Sequence, residues 1–139
     1  MYLVGFFREI EPRLSDVPDS IYDFKNKLDP DIKSIVLNYL TQSTGIFDWN
    51  EVVRDCLDRE KTIMNGSCIW SDGEWIWRED LEYYVKEYNV NLPSKFIEKI
   101  ISNNGIPPLS DEQVRMDLDE IMGTIKRAQK GDRDMFVTM

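Results

Sequence analysis

The side chains able to do chemistry in this sequence are almost all carboxylates. Asp72, Glu74, Glu79 and Asp80 fall within nine residues. Two carboxylates in different environments can serve glycoside hydrolysis, and a cluster of their oxygens can hold Mg²⁺ or Ca²⁺. Asp72, Glu74 and Asp80 are therefore the candidates for a carboxylate-dependent hydrolase or a metal-dependent enzyme. Each of the four also has a structural role open to it. Asp72 is a turn residue, Glu74 opens a strand, and Glu79 and Asp80 complement the dipole of a helix N-terminus. Their spacing does not match the D-x-D-x-D-G calcium loop. None of the 139 residues is histidine, which excludes His-based triads, His metal ligands and imidazole switches. Cys56 and Cys68 form no C-x-x-C pair and have no histidine to activate them. No G-x-S-x-G elbow is present, and the seven glycines form neither a P-loop nor a dinucleotide fingerprint. The expectation is no catalytic residue, no cofactor and no metal.

The second chemistry available is recognition. Seventeen Lys and Arg stand against 26 Asp and Glu, a formal charge of −9. Such a chain repels phosphate backbones. Its densest basic stretch, Lys126, Arg127, Lys130 and Arg133, is interleaved with Asp132 and Asp134, so no nucleic-acid partner is expected. The charge is uneven. Residues 67–92 hold six acids and two bases, together with Trp70, Trp75, Trp77, Tyr83, Tyr84 and Tyr88; Trp49 lies not far upstream. An acidic face with aromatic anchors suits a basic protein partner. Glu79, Glu82, Tyr83, Glu87 and Trp70 are the expected partner-binding residues, Tyr83 because it lies off the apolar helix stripe. A different reading of the same aromatics is an exposed platform for a peptide or a carbohydrate.

The elements that must position these groups follow from periodicity and punctuation. Residues 2–8 are rich in β-formers and predict a strand; the run is too short for a membrane span and lacks the basic start of a signal peptide. With two thiols and no export signal, a cytoplasmic chain with reduced cysteines and no membrane association is expected. Pro12 and Pro18 punctuate the loop that follows. Val17, Ile21, Phe24 and Leu28 mark a short amphipathic helix, and Asp29-Pro30 opens a second one, whose apolar face is Ile32, Ile35, Val36, Tyr39 and Leu40, with Gly45 as its stop. The stretch 46–60 is ambiguous, with Val52, Val53, Cys56 and Leu57 allowing a helical turn or two. Asn65-Gly66 and Asp72-Gly73 predict turns in a hairpin region at 61–77. A two-residue Asp72-Gly73 turn would pair Ser71 with Glu74, Trp70 with Trp75, Ile69 with Ile76 and Cys68 with Trp77. That register puts Cys68 and the three tryptophans on one face, Ile69 and Ile76 on the other. A helix over 79–88 capped by Asn89 should lay Tyr84 and Tyr88 on the tryptophans. Another opens at Pro93 and stops at Asn104-Gly105. After Pro107-Pro108 a capping box at Ser110–Gln113 starts a last helix over 110–130, with Val114, Leu118, Ile121, Met122 and Ile125 as its stripe. The tail from about Gly131 should be loosely held.

The run from Trp70 to Val85, continuing through Tyr88-Asn89-Val90 to Leu92-Pro93 and Phe96-Ile97, resembles a pattern of small bacterial proteins: a D-G turn, an aromatic strand, D-L-x-Y-Y-V, then L-P-x-x-F-I. Some of those small acidic proteins look like immunity proteins of polymorphic or contact-dependent toxin systems, which bind and block a partner toxin. The resemblance implies a toxin-neutralising role and brings no catalytic residue with it. The expected fold is a single α+β domain over 1–139: a small antiparallel sheet from the hairpin and the N-terminal strand, covered by about five helices.

Overall fold

The computed structural model describes residues 1–10, 17–47 and 50–137; the expectations for Pro12 and Trp49 lie outside them. Its fold is α+β. Four strands form the main sheet: β1 (Tyr2–Leu3), β2 (Thr44–Phe47), β5 (Ile69–Ser71) and β6 (Trp75–Arg78), in the order β1-β6-β5-β2. β3 (Val52–Arg54) and β4 (Thr62–Met64) make a separate antiparallel pair. The described helices are α1 (Ile21–Phe24), α2 (Lys33–Gln42), α3 (Asp80–Tyr88), α4 (Ser94–Ser102), α5 (Asp111–Arg115) and α6 (Leu118–Gln129).

The Asp72-Gly73 turn forms, but in another register. Ser71 pairs with Ile76, Trp70 with Trp77 and Ile69 with Arg78. The cause is the Asp72 side chain, whose Oδ1 accepts the N–H groups of Glu74 (2.9 Å) and Trp75 (2.7 Å). Asp72 thereby becomes the first corner of the turn, and Gly73 takes the positive φ (+98°) just after it. Because the partner shifts by two residues, the pleat parity survives. Trp70, Trp75 and Trp77 pack with α2, α3 and α4 on one face; Ile69 and Ile76 pack with α6 and Val114 on the other. On the tryptophan face the ring at the centre is Phe96 of α4. It stacks on Trp75 at 4.8 Å and meets Trp77 at 5.6 Å and Tyr39 at 5.9 Å. Tyr84 is buried in the same core, whereas the Tyr84 and Tyr88 hydroxyls turn toward the segment after β3.

Other expectations change for local reasons. The N-terminal strand covers Tyr2–Leu3, and it runs parallel to β6. The hairpin region 61–77 divides at Asn65-Gly66: β4 turns back on β3, while β5 joins the main sheet. Asn65 takes φ +56° there, but Gly66 is needed for space rather than for a positive φ. A Cβ on Gly66 would stand 2.3 Å from Val53 Cγ2. Within the ambiguous stretch 46–60, which allowed a helical turn or two, residues 52–54 form strand, where the β-branched pair Val52-Val53 matches Ile63-Met64 across the ladder. Gly45 sits within β2, and α2 stops at Gln42. The last helix breaks at Met116-Asp117, leaving Met116 and Leu118 exposed. Among the described residues after Gly131, Met135 is buried and its carbonyl accepts from the Leu3 N–H at 2.9 Å. Asn89 in left-handed conformation (φ +50°) and the reciprocal Ser110–Gln113 capping box stand where expected.

Candidate functional site

The carboxylates proposed for catalysis are used by the scaffold. The side chain of Asp72 is 0% exposed, with Oδ2 accepting from the Tyr39 hydroxyl (2.5 Å) and from Lys99 Nζ (3.0 Å). Glu74 meets the same Lys99 at 3.1 Å and also accepts from Trp75 Nε1. Asp72 and Glu74 therefore converge on one ammonium of α4, but an enclosed Asp72 has no surface to offer a substrate. Burial and the Asp72 carboxylate together push the Tyr39 phenol far above its ordinary value. Asp80 turns away from this group and pairs with Arg78 at 2.9 Å, both side chains being nearly inaccessible. That pair joins the end of β6 to the start of α3. Among the described residues no group of three His, Cys, Asp or Glu side chains is placed to hold a metal ion.

Four of the five residues expected to bind a partner are brought together instead. Trp70, Glu79, Glu82 and Tyr83 all line one cavity of about 240 Å³. Glu79, Glu82 and Tyr83 share a helix face because they stand three and four residues apart. Trp70 and Trp77 reach the cavity from neighbouring strands, where they pair directly. Leu40 of α2 and Ile63 and Met64 of β4 complete its apolar walls. Met64 is 65% exposed, an unusual state for a methionine and one that leaves a soft rim at the mouth. Glu82 is half-buried, and its side chain makes no hydrogen bond or ion pair with a described residue. Glu87, the fifth expected residue, is exposed and lies outside the cavity.

A latch that sequence reasoning missed holds two of these walls together. Asp55, just after β3, is fully buried and accepts from the hydroxyls of Tyr88 (2.5 Å) and Tyr83 (2.8 Å). Its other oxygen accepts the N–H groups of Leu57 (2.7 Å) and Asp58 (3.1 Å). Burial pushes the Asp55 carboxyl up, but the two phenols and two N–H groups outweigh it and hold the carboxyl below its ordinary value. Burial and the bond to Asp55 raise Tyr83 to about 12. Tyr84 takes the Cys56 N–H at 2.9 Å. Burial pushes the Cys56 thiol up, the opposite of what an activated nucleophile needs. Tyr83 is thus an anchored ring at the cavity edge, with its hydroxyl already used. The signal for this latch was an Asp followed two and three residues later by backbone to cap, between two β-branched runs.

What the cavity can do follows from its walls. Tryptophan faces attract cations, and flanking carboxylates add charge where water is partly excluded. Its volume is below the usual ~300–1,000 Å³ of small-molecule pockets and suits one long side chain. No protein-family model matches the chain, and no curated protein or solved structure is significantly similar to it.

Proposed function

We propose that the protein binds a basic protein partner, in the manner of a toxin-neutralising immunity protein, by taking a lysine or arginine of that partner into the Trp70 cavity. The observation that carries this reading is Glu82, a half-buried carboxylate in the lining of a tryptophan-walled pocket, with no partner among the described residues. The methylene stem of a lysine or arginine covers Trp70 and Met64, and its charged head meets Glu82. The net charge of −9 supports the reading by speeding encounter with a basic surface. The toxin-blocking role rests on the sequence resemblance and on this binding chemistry together.

The test is co-expression and pull-down with the product of the neighbouring gene, followed by kinetics on two variants. Trp70→Ala should raise Kd by roughly thirtyfold, the effect of losing a central aromatic anchor. Glu82→Lys should raise Kd by setting a cation against the bound one, and should also slow association several-fold at low salt, the rate effect shrinking at high salt. A complex whose affinity ignores both substitutions would remove the cavity from the interface. Absence of a complex, together with no protection of cells from that gene product, would sink the toxin-neutralising role.

A further inference from the structure

A second cavity, about 710 Å³, lies against the sheet face opposite the tryptophans, between β3 and α6. Its charge runs against that of the chain. Among the described residues, Arg54, Arg59, Arg78 and Lys126 line it with two acids, Glu9 and Glu51, and Arg78 is already matched by Asp80. Both acids are already engaged. Glu9 accepts from the Ser20 hydroxyl and the Ile21 N–H, and Glu51 accepts from the Ser67 hydroxyl. Arg59 and Lys126 make no hydrogen bond or ion pair with a described side chain, whereas Arg54 is held in place by donating to the Arg59 carbonyl at 2.9 Å. Beneath these cations the lining is apolar: Leu3, Phe6 and Ile69 form the floor, and Met122 and the half-exposed Val52 stand at the sides.

We infer that this groove binds a single-chain amphipathic anion, an acyl chain or ring system carrying a carboxylate or phosphate head. The volume falls within the range of small-ligand sites, and an apolar floor with few convergent charges is their usual construction. The apolar body lies on Leu3, Phe6 and Ile69, and the head takes charge-assisted hydrogen bonds from Arg59 and Lys126. Neither the Trp70 cavity nor its partner takes part, so the two readings stand or fall separately.

The full chain is titrated with decanoate, decyl phosphate, decanol, decyltrimethylammonium and inorganic phosphate, with binding read by calorimetry and by methyl shifts of Ile69 and Met122. Decanoate or decyl phosphate should bind and move both methyls, while decanol binds at least roughly tenfold more weakly. The Arg59→Gln/Lys126→Gln double variant, altered only at exposed positions, should weaken the anionic probes roughly tenfold and leave decanol unchanged. Val52→Glu, also exposed, should weaken the anions by repulsion and serves as the independent check. Equal binding of decyltrimethylammonium or decanol would overturn the inference. So would inorganic phosphate binding as tightly as decyl phosphate, since the apolar floor would then add nothing. An absence of binding by every probe overturns it as well.

Discussion

Replacing Asp55 by asparagine tests the latch that joins the β3–β4 arm to α3. The amide keeps Oδ1 for the Leu57 and Asp58 N–H groups, but it places an NH₂ where the Tyr83 and Tyr88 hydroxyls now donate. Those phenols can rotate to accept, so hydrogen bonds persist without their charge assistance. A bond to a charged group contributes ~1.5–3 kcal/mol, and a neutral one about half as much. Two such losses, offset by the relief of no longer burying a carboxylate, leave a net cost of ~2 kcal/mol. In a chain of this size that lowers Tm by roughly 6–8 °C. Asp55→Ala strands two phenols and two N–H groups and should cost ~3–5 kcal/mol.

The same substitution has a signature in pH. The carboxyl of Asp55 is held below its ordinary value in the fold, so its contribution is full above an unfolded value of ~3.9. That contribution is lost as pH falls through the folded value. Urea denaturation of the wild type over the acid range should therefore show stability declining below about pH 4. In Asp55→Asn this part of the decline is absent, and the two curves converge at low pH. Equal stability at neutral pH, or parallel curves through the acid range, would refute the claim that the hydrogen bonds outweigh the burial of this carboxylate.

Asp72→Ala removes the acceptor of the Tyr39 hydroxyl, of Lys99 and of two turn N–H groups, and should cost ~4 kcal/mol by chemical denaturation. Lys99→Met, which leaves Asp72 its Tyr39 and backbone donors, should cost less than half as much; a larger cost for Lys99 would reverse the assignment of Asp72 as the organising group. Spectrophotometric titration should find Tyr39, Tyr83, Tyr84 and Tyr88 ionising above the ordinary phenol range, with Tyr83 near 12. Since folding raises Tyr83, its contribution is full below about pH 10 and is lost as pH rises through about 12. Four phenols ionising together at their ordinary value in the folded protein would contradict the burial of Tyr39 and Tyr84 and the bonds of half-buried Tyr83 and Tyr88 to Asp55.

Local chemistry was the part of this fold open to reading from sequence. Asn89 as a left-handed cap, the Ser110–Gln113 box and the turn at Asp72-Gly73 each depend on side chains a few residues apart. The sheet faces were readable because alternation in Trp70, Trp75 and Trp77 survives a two-residue shift of register. The β3–β4 pair was not, since three-residue strands are too short to show a period, and their packing depends on Gly66 yielding space to Val53. The site divides in the same way. Glu79, Glu82 and Tyr83 declare a shared face by helical spacing, and Trp70 stands across from Trp77. The Leu40 and Met64 walls come from elements whose approach only the tertiary fold decides. Lys99 lies 27 residues beyond Asp72, and Asp55 lies 33 before Tyr88; no local pattern links either pair.

The acidity of residues 67–92 also changes meaning once the structure is known. Of its six acids, Asp80 is matched by Arg78, and Asp72 and Glu74 share Lys99 from outside the segment. A partner of the proposed kind would meet the exposed part of Glu74, Glu79 at the cap of α3, and Glu82 and Glu87 on α3, with exposed Lys86 among them. A field from so few surface charges is largely screened beyond ~8 Å at physiological salt, so it guides encounter and adds little to a finished complex. Affinity must then come from desolvated contact, and on this side of the molecule the cavity formed by Trp70, Trp77 and Met64 offers it. Substituting Glu87, outside that cavity, should therefore alter association rate alone. Substituting Trp70 should alter dissociation, and a stopped-flow comparison of the two variants separates steering from grip.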